Sequence, residues 1–192
     1  MSKTPALLYV AIVGSLLIAC DSLPRLRVLH DPLSPEEHVT LGRAYELEGR
    51  PELAVREYGQ AISQQPASAP ALVGLGNLAF VREALAEAES YYLQAIAVAP
   101  ADPVANNNLA MLYLIRRENL DEAARLAVLA LQHGGPLRPY VLDTLAHIYF
   151  LQGRHLDALR VLKEAEASVP VNDQLLHERL AQLRHDLTVS HP

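Results

Sequence analysis

Past residue 34 the sequence repeats itself, and this repeat constrains the fold more than any other feature of the chain. An alanine recurs at Ala54, Ala88, Ala123 and Ala158, in steps of 34, 35 and 35. A second recurs at Ala61, Ala95, Ala130 and Ala165, with the same steps. Upstream of each pair stands a large-small dipeptide: Leu41-Gly42, Leu75-Gly76, Leu109-Ala110 and Leu145-Ala146. An aromatic follows at Tyr45, Tyr113 and Tyr149, with Ala79 the exception, and Pro66, Pro100 and Pro170 close three of the units. Small residues at these positions let two antiparallel helices approach closely, and the large ones fill the space beside them. Gly49 and Gly153 suit the tight turn inside a pair. Pro35 and Pro139 suit a first helical turn, where no N–H bond is lost. One pair cannot bury its apolar face alone, so neighbours must stack.

Composition agrees with helices. Leu and Ala dominate, and runs of alternating β-branched residues are missing, so almost no sheet is expected. Charged residues make up 20% of the chain and the net charge is −6. With no cluster of Lys and Arg, nucleic acid is excluded as a partner class.

The four copies resemble tetratricopeptide repeats (TPR), covering about residues 35 to 170. The resemblance implies an all-α fold, a TPR superhelix of four helix-turn-helix repeats, here 35–68, 69–102, 103–137 and 138–171. The third copy departs from strict spacing. One extra residue falls in "RRENLD", within the pair, and another in "HGGPLRP", the loop to the fourth copy, where glycines and prolines would loosen the stack. Residues 172–187 read as a last amphipathic helix, with Leu175, Leu176, Leu180, Leu183 and Leu187 as its stripe and Asn172 or Asp173 as its cap. It would cover the open end of the array. Residues 188–192 read as a disordered tail.

The chain starts differently. Lys3 precedes an apolar run, Ala6 to Ala19, of 14 residues, too short to span a bilayer comfortably and suited to a signal peptide. The run ends in Leu17-Ile18-Ala19-Cys20, which resembles a bacterial lipobox. That resemblance implies cleavage after residue 19 and diacylglycerol on Cys20, the only cysteine present. Stable anchoring takes more than one acyl chain, and acylation of the new amino terminus would supply it. Residues 20–34 then read as a lipidated tether. Asp21 resembles an inner-membrane retention signal of enterobacteria, with the outer membrane the alternative.

Catalytic and metal motifs are missing. "GLGNLA", residues 74–79, matches the dinucleotide pattern G-x-G-x-x-A, but it falls inside a helix, where Gly76 is the small packing position. The eight histidines are scattered without ligand spacing, and His155, at a helix start, is expected to be solvated. No serine, cysteine or paired-acid arrangement for catalysis appears. The reading is of a non-enzyme with no cofactor and no metal.

TPR arrays bind partners on the inner, concave face built from first helices. Carried over by position, that face comprises Val39, Arg43 and Leu47; Val73, Asn77 and Phe80; Asn107, Met111 and Leu114; and Tyr140, Asp143, His147 and Phe150. Two known TPR devices are incomplete: a two-carboxylate clamp has only Arg43 with Asn77, and an asparagine ladder has only Asn108. The expectation is a lipid-anchored, periplasm-facing adaptor for a protein or peptide partner in envelope assembly, pilus or secretion machinery, resembling pilotin-type and pilus-assembly TPR lipoproteins. It would be a monomer or weak homo-oligomer. The alternatives are a self-assembling scaffold, or a helper of a cysteine peptidase or export system, since residues 30–49 resemble the TPR tails of some bacterial cysteine peptidases.

Overall fold

A computed structural model of the chain describes residues 32–189. The expected signal peptide, Cys20, the tether up to residue 31 and the last three residues lie outside them. Among the described residues there are nine α-helices and no strand. They are α1 (Pro35–Leu47), α2 (Pro51–Gln64), α3 (Ala69–Val81), α4 (Leu85–Val98), α5 (Pro103–Arg116), α6 (Leu120–His133), α7 (Arg138–Leu151), α8 (His155–Ser168) and α9 (Gln174–Val189). A 3₁₀ turn, Gly135–Leu137, leads into α7.

The helices α1, α3, α5 and α7 each pair with the even helix that follows, and each even helix packs on the next odd one. The odd helices also touch one another in succession, whereas even helices make no comparable contact. A stack built this way curves, with α1, α3, α5 and α7 on its inner side.

One turn closes all four pairs. A residue at φ between 54° and 72° ends the first helix: Gly49, Glu83, Arg117 and Gly153. Each time the next residue's N–H reaches back five residues, as Arg50 N to Tyr45 O at 2.9 Å and Ala84 N to Ala79 O at 2.9 Å. This satisfies carbonyls that the helix end would orphan. Glycine adopts that φ freely; Glu83 and Arg117 adopt it at a cost. The extra residue of the third pair lies just beyond Arg117, where Asn119 adds a second positive φ of 49°.

The small positions work in two different ways. Gly42 and Gly74 face the ring of Tyr58, and Gly76 faces that of Tyr92; a Cβ at any of the three would collide with a ring carbon. Both rings are almost fully buried. In the third and fourth pairs the helix positions of those tyrosines hold Ala127 and Leu162, and alanine replaces glycine at Ala110 and Ala146. Ring plus glycine and aliphatic plus alanine fill equivalent space. The dinucleotide-like glycines at 74 and 76 are therefore packing residues.

A continuous apolar core runs from Ala79 and Ala88 to Leu187. It includes Leu126 and Ala130 on α6 and Val141, Leu142 and Leu145 on α7, so the core is unbroken at the step where the glycine-proline loop was expected to loosen it. The first pair differs by placing His38 and Glu57 inside, with Nδ1 and Oε2 2.8 Å apart. In the fourth pair the same positions hold Leu142 and Val161.

At the far end Asp173 caps α9, accepting from Leu176 N at 3.0 Å. Leu176, Leu180, Leu183 and Leu187 are buried, while Leu175, expected in the same stripe, is exposed. The helix continues through Thr188 and Val189, two residues into the segment expected to be disordered. Leu180-Ala181 follows Leu145-Ala146 by 35 residues. By sequence register α9 is thus one more first helix, although Ala181 is exposed where Gly42, Gly76, Ala110 and Ala146 are buried.

Candidate functional site: the inner face of the helix stack

The sequence-predicted residues occupy the odd helices, but they do not form one uniform surface. On α1, α3 and α5 they stay accessible. Arg43 is exposed, and Asn77, Phe80, Asn107, Met111 and Leu114 are half-buried. Phe80 and Leu114 rest one side on the apolar core. Val39 and Val73 are buried and support the face without lining it freely.

A pocket of about 450 Å³ collects residues from three first helices. Arg43, Glu46 and Leu47 come from α1, Pro70, Val73, Gly74 and Asn77 from α3, and Val104 from α5, with the Tyr58 ring behind them. Tyr58 Oη donates to Glu46 Oε2 at 2.5 Å. Burial, and then Glu46, push the Tyr58 phenol well above its ordinary pKa, so it remains a donor. Arg43, three residues along the same helix, makes no hydrogen bond or ion pair shorter than 4 Å among the described residues.

Asn77 is held from behind. Its Oδ1 accepts from Tyr92 Oη at 3.0 Å and from Asn108 Nδ2 at 2.8 Å. Both acceptor sites of that oxygen are thereby used, and the amide orientation is fixed with Nδ2 left over. Asn108, the single match to an asparagine ladder, is spent on this internal bond. Removing the Asn77 side chain would strand a buried tyrosine hydroxyl, so Asn77→Ala probes stability as well as binding.

The fourth pair departs from expectation. Asp143 is only 1% exposed, and Arg179 of α9 pairs with its Oδ2 at 2.5 Å. His147 Nδ1 lies 2.9 Å from the Asp143 carbonyl and 3.1 Å from Oδ1. Burial works against an imidazolium there, but the Asp143 carboxylate and carbonyl outweigh it and raise the His147 pKa above its ordinary value. Tyr140 Oη donates to Asp173 Oδ2 at 2.6 Å. Tyr140 and Asp143 thus join α7 to the last helix and its cap, and His147 is tied to Asp143 within α7, instead of offering free polar groups. Phe150 meets His155 edge-on with ring centroids 5.8 Å apart, so that histidine is partnered rather than simply solvated.

An apolar row was missed on the sequence. Leu47, Val81 and Ile115, spaced by 34 residues, are 91%, 79% and 54% exposed. The signal was available, since the spacing is the repeat itself, but only Leu47 was placed on the face. A larger cavity, about 820 Å³, lies elsewhere, between the start of α8 (Leu156, Leu159) and the end of α9 (Leu187, Thr188). One unit earlier the corresponding step is bridged by Gln152 Nε2 to Asp121 Oδ1 at 2.8 Å. Among the described residues no group of three or more His, Cys, Asp or Glu converges to hold a metal.

Comparison with known proteins places this geometry. Residues 38–68 match the model of a tetratricopeptide repeat. No curated protein matches the sequence. Among solved structures, PilF of Pseudomonas aeruginosa is 22% identical, with a TM-score of 0.64, over 83% of this chain and 74% of that one. A crystal structure of MamA is 21% identical, with a TM-score of 0.61, over 81% and 83% of the two chains. A second MamA structure is 21% identical, with a TM-score of 0.59, over 70% and 72%. Four helix pairs, one shared turn and a matching repeat model give the same result: the described residues have the fold of a TPR α-solenoid.

Proposed function

We propose that this protein is a non-enzymatic interaction scaffold that holds a protein or peptide partner on the inner face of α1, α3 and α5. The observation that carries this reading is the exposed apolar row Leu47, Val81 and Ile115 beside a half-polar pocket. Large apolar side chains repeated on one accessible face are expensive to leave in water unless something covers them. The lipobox-like Leu17-Ile18-Ala19-Cys20 supports anchoring at Cys20, facing the periplasm of a bacterium. The fold likeness to PilF is compatible with a role in assembling an envelope machine such as a pilus or secretion system.

Two experiments test the reading. Met111→Glu places a charge in the middle of the face without touching the core, and should cut partner capture from crosslinked membranes at least tenfold with an unchanged melting temperature. Equal capture by this variant would contradict the reading. Cys20→Ser should remove fatty acid from the protein's mass spectrum and leave residues 1–19 attached, because cleavage follows lipid attachment in this reading. An unmodified, uncleaved wild-type protein would contradict lipid anchoring while leaving the face untouched.

A further inference from the structure

The four steps of the stack control for one another. At each step the start of an even helix faces the end of the next odd helix. At the first step Glu52 and Val55 face Arg82 across a slot of about 310 Å³. At the second, Arg116 Nη1 donates to Glu89 Oε2 at 2.6 Å. At the third, Gln152 Nε2 donates to Asp121 Oδ1 at 2.8 Å. The repeat register puts Leu156, Leu159 and Leu187 at these positions in the fourth step. Leucines cannot form such a bridge, and the slot widens into the cavity of about 820 Å³.

Leu156 lines this cavity without filling it, since the residue is 85% exposed. Val189, at the end of α9, is exposed as well. An apolar knob therefore stands beside an apolar hole, and both are unfavourable in water. An unrelated partner would need to bring a knob for the hole and a hole for the knob. A second copy of this chain brings both, because in a two-fold contact each patch meets itself in reverse. The charges fit the same arrangement. Asp157 accepts from Arg154 at 2.7 Å and from Arg160 at 3.2 Å. The Arg160 side chain is 71% exposed, so it can turn to another carboxylate while Arg154 stays with Asp157. Two α8 helices crossing antiparallel would set Asp157 of each copy opposite Arg160 of the other.

We propose that the slot between α8 and α9 is a two-fold contact between copies of this chain. Leu156 of each copy enters the other's cavity against Leu159 and Leu187, and Arg160 of each copy pairs with Asp157 of the other. The leucines supply the affinity, and the exposed charges set the orientation. A stable interface engages about 20–30 residues a side, and this patch offers far fewer, so the dimer is weak and reversible. The contact uses none of the inner-face residues of α1, α3 and α5, and it stands apart from the scaffold reading.

The test uses the full chain, made in one cell as two differently tagged versions, with a photo-crosslinking side chain in place of Val189. Illumination should give an adduct carrying both tags. Leu156→Glu in both versions should cut that adduct at least tenfold with an unchanged melting temperature, because Leu156 lies outside the core. Asp157→Arg in both versions, or Arg160→Asp in both, should cut it several-fold. Asp157→Arg in one version with Arg160→Asp in the other should bring it back, since both cross-copy pairs are then restored with their signs reversed. Met111→Glu should leave the adduct unchanged, so this contact and the inner face fail separately. Four results would each overturn the inference: no adduct between the two versions, adducts with other proteins alone, an adduct indifferent to Leu156→Glu, or no recovery in the mixed charge variants.

Discussion

At the scale of single residues the structure turns on a trade between ring and glycine. Gly76→Ala drives a methyl into the buried Tyr92 ring, and overpacking of this kind costs about 1–3 kcal/mol. Adding Tyr92→Leu reproduces the alanine-leucine combination of Ala146 and Leu162, so denaturant unfolding of the double variant should recover part of that loss. Additive losses would mean the ring is not the cause. Glu83 sits at φ 61°, where glycine is at ease, and Glu83→Gly should stabilise by about 1 kcal/mol. The buried His38–Glu57 pair stands where another repeat uses Leu and Val. His38→Leu alone leaves the buried Glu57 with only the exposed Arg56 as partner and should cost about 1–3 kcal/mol, whereas His38→Leu with Glu57→Val should be neutral or stabilising. A double variant less stable than the single one would refute this. The small and large positions were legible because they recur at 34 or 35 residues. The bond from Tyr92 to Asn77 was not, because it joins two helices through a hydroxyl whose direction no spacing encodes.

At the scale of elements, the last helix is the informative one. Its existence was legible in the leucine spacing and the Asp173 cap. Its attachment was not, because Arg179 reaches Asp143 only through the angle at which α9 lies on α7. The Asp143 carboxylate at that attachment also makes the end of the stack sensitive to pH, through the His147 ring beside it. The folded state raises the pKa of His147, so this histidine contributes stability fully below its ordinary value, and the contribution is lost as pH rises through the raised value. His147→Gln should therefore lower the melting temperature more at pH 5.5 than at pH 8.5; an equal drop at both would contradict the sign. A second window lies at alkaline pH. Burial, and then Glu89, push the Tyr113 phenol up to about 12, so its contribution is complete below pH 10 and is lost between about 10 and 12. Tyr113→Phe should flatten that part of the stability curve.

For the molecule as a whole, repetition separates two tasks. Alanines of the even helices and the leucines facing them hold neighbours together. The inner positions of the odd helices do not repeat: Arg43, Asn77, Met111 and His147 occupy one register. The fold could be read from the chain because packing repeats. The working face could be read only in outline because it does not, and because the fourth repeat gives Tyr140 and Asp143 to the contact with α9 and its cap and ties His147 to Asp143. The division of labour is the central claim, and site-specific photo-crosslinking tests it most directly. A crosslinking side chain replaces Met111 on α5 in one variant and the exposed Val128 on α6 in another, both in intact cells. The account predicts a discrete partner adduct from position 111 and none from position 128; an adduct from 128 with none from 111 would contradict it.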